Sequence, residues 1–202
     1  MIKNTVHNSQ AKTLGGIGAI LVLLSFVPSV GALLGLVGFV MILFGVKYIS
    51  DDLKDKAVFN NMILAVVLGI VGIGVGSLVI IPTAINAFQS GYFNGTNFAT
   101  SPSVTNAQWI AFGTAIGLGL FVAWVFFLVS AVFLRRSYRT IGTKLNVGTF
   151  GTAGLLYLIG AATTVVGVGF LILLIAEIMT AVAFWSIPVE QQQQLRAPAA
   201  TM

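Results

Sequence analysis

Residues 14–49 read LGGIGAILVLLSFVPSVGALLGLVGFVMILFGVKYI, an apolar run whose one charged residue is Lys47. As a single helix it would be about 54 Å long, against a bilayer hydrocarbon core of about 30 Å. It therefore has to turn back on itself. Proline lacks the backbone donor a helix needs and clashes with the preceding turn, so the break falls at Pro28, Ser29 and Gly31. Two helices follow, over 14–27 and 30–49, joined by a tight turn. An apolar helical hairpin is thus the unit in which the rest of the chain is read.

Composition extends that unit to the whole molecule. Of 202 residues, 57% are hydrophobic and 7% charged, and mean hydropathy is +1.02, whereas about a quarter of the residues of a soluble domain are charged. No polar gap reaches the roughly 40 residues that fold unaided. The absence of cysteine removes disulfides, iron–sulfur clusters, thiolate zinc sites and thiol nucleophiles. A single histidine, His7 in the polar N-terminal segment, argues against a histidine metal site or a catalytic triad. Neither a cofactor, a metal site nor an enzymatic activity is expected. The net charge of +5 is read as cationic loops facing anionic lipid, not as a nucleic-acid surface.

After the first hairpin comes Ser50-Asp51-Asp52-Leu53-Lys54-Asp55-Lys56. Ser50 is expected to cap the next helix, with Asp51 and Asp52 at its positive end and Asp52 paired to Lys56 at i,i+4. That third helix is expected over 57–81, ended or kinked by Pro82. Residues 86–108 carry no charge and contain Asn94-Gly95-Thr96, a sequon that marks Asn94 as a glycosylation candidate on the outer side. Trp109 follows where an interfacial aromatic belongs. A fourth helix over 110–134 stops at Arg135-Arg136-Ser137-Tyr138-Arg139, with Lys144 beyond. Residues 150–187, about 57 Å as one helix, again exceed one crossing. A turn at 163–167 divides them into helices over 150–164 and 168–185, and 189–202 is read as a disordered cytoplasmic tail.

The expected architecture is all-α: a polytopic transmembrane bundle of about six helices arranged as three hairpins, in one domain spanning 1–188. Folded so, Lys3, Lys12, Lys47, Lys54, Lys56, Arg135, Arg136, Arg139, Lys144 and Arg196 all fall on one side. Positive charge collects on the cytoplasmic face, which places both termini in the cytoplasm and the protein in the cell membrane as a multi-pass chain.

Glu177 is the charged residue that lies well inside an expected span. An ionised carboxylate there costs about 2.5–3.5 kcal/mol, which makes such a residue a functional candidate facing protein or water. In its neutral form it suits proton coupling, with Thr163, Thr164 and Thr180 as polar neighbours. The competing readings are a protonated glutamic acid hydrogen-bonded to a serine or threonine on a neighbouring helix, or a residue that lies nearer the inner interface. Arg135, Arg136, Arg139 and Lys144 are candidates for contact with anionic lipid or an acidic partner, beside their ordinary role as a topological anchor. The pairs Gly31/Gly35, Gly72/Gly76 and Gly113/Gly117 have the spacing that lets helices approach closely.

Leu14-Gly15-Gly16-Ile17-Gly18-Ala19-Ile20-Leu21, Gly35-Leu36-Val37-Gly38-Phe39, Lys47-Tyr48-Ile49-Ser50-Asp51 and Val58-Phe59-Asn60-Asn61 together form a sequence that resembles an archaeal and bacterial integral-membrane family, the domain of unknown function 996 type. The similarity covers most of the chain and is most specific over 47–61. It implies a small multi-helix membrane protein and assigns no catalytic residue.

Two functions fit these features, the first as the expectation and the second as its alternative. One is a non-enzymatic component that assembles, through small-residue helix faces, with itself or with another membrane protein. The other is a small transporter or channel whose path Glu177 lines. Membrane lipid is the expected partner in both.

Overall fold

The computed structural model describes residues 2–94, 99–100 and 105–188. Among these the elements are α1 (Ile2–Leu23), a short 3-10 turn (Leu24–Phe26), α2 (Gly31–Asp52), α3 (Lys56–Gln89), the two-residue strands β1 (Phe93–Asn94) and β2 (Ala99–Thr100), α4 (Asn106–Lys144), α5 (Gly148–Thr163), a second 3-10 turn (Thr164–Val166) and α6 (Gly169–Trp185). The strands pair antiparallel, Phe93 with Thr100 and Asn94 with Ala99. Among the described residues four stretches are long and apolar enough to cross a membrane: Leu33–Asp52, Lys56–Gln89, Asn106–Lys144 and Gly148–Val166. Ser9–Leu23 and Gly169–Trp185 are shorter apolar helices. Apart from the two-residue strand pair, the helical, membrane-length architecture expected from hydropathy is therefore present.

The described residues form two compact units, 2–63 with 133–188, and 64–132. In the first, α1 and α2 make a hairpin whose turn falls at the expected proline, with Ser29 in the left-handed region (φ 72°) and the Gly31 N–H donating to the Val27 carbonyl at 2.8 Å. The two helices touch through backbone. A Cβ on Gly18 would lie 2.6 Å from the Gly38 carbonyl oxygen, and one on Gly38 would lie 2.5 Å from that of Gly18. Only glycine on both sides allows this separation. Ala11 and Ala19 on α1 are fully buried, so the packing stripe runs Ala11, Gly15, Gly18, Ala19. It falls outside a search restricted to glycine pairs at i,i+4.

The second hairpin, α5 and α6, turns within the expected 163–167 stretch. Gly167, at φ 83°, supplies there the left-handed conformation that β-carbon residues resist. Edge-to-face ring pairs join its core to α4: Tyr138 with Phe150 (5.6 Å between centroids), Tyr138 with Tyr157 (6.1 Å) and Phe150 with Phe184 (5.1 Å). Phe184 then seats on α1, where it leaves no room for a Cβ at Gly15.

The charged ends of this unit meet. Lys12 Nζ donates to the Ile187 carbonyl at 3.5 Å, a Cβ on Gly45 would reach Gly15 Cα at 3.0 Å, and Lys144 Nζ lies 2.7 Å from Asp55 Oδ2. The starts of α1, α3 and α5 and the ends of α2, α4 and α6 thus share one end of the unit.

Several boundaries differ from expectation. α1 begins at Ile2, not near 14; its packing on α2 extends down to Ala11, whose carbonyl oxygen would lie 3.2 Å from a Cβ on Gly45. Ser50, Asp51 and Asp52 close α2 and do not open α3; Lys47 pairs with Asp51 at 3.4 Å one turn back. The cap of α3 is Asp55, whose Oδ1 accepts from the Ala57 N–H at 3.0 Å, while the Ser50 hydroxyl donates to the Asp55 carbonyl at 2.8 Å. Asp52 and Lys56 consequently stand on different helices, and their spacing is not that of a helical i,i+4 pair. α4 runs on to Lys144, so the arginines lie on a helix and not in a loop.

In the second unit α3 continues through Pro82 to Gln89 and does not end at 81. The Thr83 hydroxyl donates to the Val79 carbonyl at 2.7 Å, one residue beyond the Leu78 carbonyl whose helical donor Pro82 cannot supply. α3 and α4 pack through Gly72 on Phe126 and Gly76 on Ala123 and Gly119. The Ser130 hydroxyl donates to the Ala65 carbonyl at 2.7 Å. A Cβ on Gly113 or Gly117 would meet nothing within 4 Å. Trp109 stacks edge-on against Tyr92 at 5.2 Å. Many apolar side chains of this unit, Ile73 and Leu78 among them, are exposed.

Candidate functional site

The site is built on α6. Its buried residues include Ala176, Glu177, Thr180, Ala181 and Phe184, a stripe at i, i+1, i+4, i+5 and i+8 that marks one helix face. Glu177 belongs to that inward face, midway along the helix. It is 6% exposed, although in an apolar helix an acid is the residue most easily placed elsewhere. Phe184 fixes the orientation: with its ring held between Gly15 and Phe150, α6 cannot rotate Glu177 outward without withdrawing it.

Three polar side chains converge there. Thr180, fully buried, donates its hydroxyl to the Ala176 carbonyl at 2.9 Å. Tyr138, on α4 and 1% exposed, interacts through its hydroxyl with the Thr180 side chain and lies within electrostatic range of the Glu177 carboxyl. Glu177 Oε1 is shielded from solvent and accepts no hydrogen bond among the described residues. An unmade bond of this kind costs about 1–3 kcal/mol. Among the described residues no ion pair involves Glu177 and no basic side chain neutralises it.

Thr163 and Thr164, expected as possible neighbours, are not part of this cluster. They sit in the α5–α6 turn and spend their hydroxyls on the Ile159 and Gly160 carbonyls. Tyr138 escaped the sequence reading because it stands within the arginine run, read as a loop; the helical recurrence of Ser130, Ser137, Tyr138 and Ile141, all buried, is the signal that carries it onto an inward face.

The four cationic candidates separate. Lys144 is held by Asp55 (2.7 Å), and that contact, with the Ala57 N–H, keeps the Asp55 carboxyl below its ordinary value. Arg136 lies over the Phe133 ring, 5.4 Å from its centroid. Arg136 and Arg139 are exposed and Arg135 is half-buried, and none of the three forms an ion pair among the described residues. Asn94 lies in β1, while Gly95 and Thr96, the rest of its sequon, fall outside the described residues, as do 189–202 and with them Arg196. Among the described residues no group of three or more His, Asp or Glu side chains is arranged to hold a metal ion.

The sequence profile of a family described as "Protein of unknown function (DUF996)" matches residues 34–178, a stretch containing both Tyr138 and Glu177. An uncharacterised protein of Methanocaldococcus jannaschii is 29% identical over 179 residues, which cover 89% of this chain and 92% of that relative. No solved structure matches the chain.

Proposed function

Because the chain belongs to the family of proteins of unknown function DUF996, whose description assigns no activity, its role has to be argued from its own site, and we propose that it is a non-enzymatic, multi-pass protein of the cell membrane in which Glu177 is the working residue of a small proton-linked transporter or channel. The observation that carries this reading is the Glu177 carboxyl itself, turned into the protein with one oxygen unbonded among the described residues. A merely tolerated glutamate would point to the helix end or form a complete set of hydrogen bonds. One kept without them, beside the hydroxyls of Tyr138 and Thr180, is placed to take up and release a proton. The cationic end of the first unit, with Lys12, Lys47 and Lys144, is assigned to the cytoplasm by the excess of positive charge on that side of membrane proteins.

The test is flux. The protein is reconstituted in vesicles under a pH gradient, and wild type is compared with Glu177→Gln and Glu177→Leu. Loss of proton movement in both variants supports the reading.

A second reading, assembly with another copy or another membrane protein, is favoured by the uncovered Gly113/Gly117 spacing on α4, since small residues at that spacing commonly meet a second helix. Wild type that moves no protons, yet whose mass in mild detergent doubles and falls back in Gly117→Leu, would favour assembly.

A further inference from the structure

The arginines of α4 remain unassigned by the proton-linked reading. Lys144 is neutralised by Asp55 at 2.7 Å and Lys47 by Asp51 at 3.4 Å, and Lys12 donates to a main-chain carbonyl. Arg135, Arg136 and Arg139 have no such partner among the described residues. On a continuous helix Arg139 stands four residues from Arg135 and three from Arg136, the two spacings that bring side chains together. The apolar stretch of α4 ends at Leu134, so in a membrane the next turn stands at headgroup depth. Arg136 is steered there by the Phe133 ring beneath it.

From this arrangement we infer that Arg135, Arg136 and Arg139 form a binding site for the phosphate of an anionic phospholipid headgroup, and that Lys144 is not part of it. The inference rests on the membrane placement proposed above. The chemistry is specific to guanidinium. A planar fork donates two parallel hydrogen bonds to a phosphate, whereas an ammonium acts as a point charge. A topological anchor, in contrast, needs only positive charge. Replacing the arginines by lysine therefore separates the two roles.

The membrane fraction is first washed at alkaline pH; release of the protein by that wash would defeat the membrane placement and leave nothing to bind a headgroup. The full chain is then extracted in mild detergent and titrated with mixed micelles of phosphatidylglycerol, of phosphatidylcholine, or with inorganic phosphate. Wild type and Lys144→Gln are expected to bind phosphatidylglycerol with equal affinity and phosphatidylcholine at least tenfold more weakly. The triple variant R135K/R136K/R139K, which keeps the charge that sets topology, is expected to lose about tenfold, and R135Q/R136Q/R139Q on the order of 100-fold. Equal binding of the two lipids, an unchanged lysine variant, or a Lys144→Gln loss as large as that of the arginine variants would overturn the site. Inorganic phosphate binding as tightly as the lipid would overturn the assignment to a headgroup.

Discussion

The ring of Phe184 lies so close to Gly15 Cα that a β-carbon there would overlap it. The contact joins the last helix to the first, and because Phe184 is completely buried the ring has nowhere to move. Gly15→Ala should therefore destabilise the fold by about 1–3 kcal/mol, the ordinary cost of overpacking. In a Phe184→Ala background the same change should cost far less, since contacting residues are not additive. Thermal unfolding of the four proteins in one detergent measures the difference. Additive losses would mean that the two residues do not touch.

Two buried serines of α4 donate to main-chain carbonyls of α3, Ser137 to Val58 at 2.8 Å and Ser130 to Ala65 at 2.7 Å. Hydrogen bonds between helices in a membrane average about 0.6 kcal/mol with a maximum near 1.7. Ser137→Ala and Ser130→Ala should each lower stability within that range, as read by denaturation in mixed micelles. A loss of several kcal/mol would indicate that the hydroxyls hold more than a carbonyl each.

How much of this was legible beforehand depended on the kind of signal. The hairpin turns at Pro28 and near Gly167 could be read because an apolar run longer than the membrane must reverse somewhere, and only a few residues permit it. Helix ends were less legible. Pro82 and the arginine run look like stops, yet α3 continues through the first at the loss of one ladder hydrogen bond and nothing in the chemistry of arginine ends a helix. Ser50 looked like the cap of α3, but Asp55 takes that place because its carboxylate reaches the Ala57 N–H. For the site, Glu177 was visible as an acid in an apolar span. Tyr138 was not, because its meeting with Glu177 depends on how α4 and α6 pack, which no local pattern encodes.

Asp55 links pH to stability. Its carboxyl is held below the ordinary value by the Lys144 contact and the Ala57 N–H, so the folded state favours the charged form. The stabilisation is fully present above the unfolded value near 3.9 and is lost as pH falls through the lower folded value. Asp55→Asn should accordingly lower the thermal midpoint at pH 7 and approach the wild-type midpoint as the pH is taken below about 3. A gap between the two that is the same at both pH values would contradict the contact.

Tyr138→Phe removes one hydroxyl and leaves the edge-to-face contacts with Phe150 and Tyr157 intact. Stability should change by about 1.5 kcal/mol or less, while proton movement through reconstituted protein should slow by more than the midpoint shift accounts for. Unaltered flux would remove Tyr138 from the site.

Whether Glu177 carries a proton is read from the decay of a pH gradient across vesicles containing wild type, Glu177→Gln or Glu177→Leu, followed with an entrapped pH dye. Wild type should dissipate the gradient faster than protein-free vesicles, and both variants, folded by their thermal midpoints, should not. Variants that match wild type, or a wild type no faster than empty vesicles, would contradict that role.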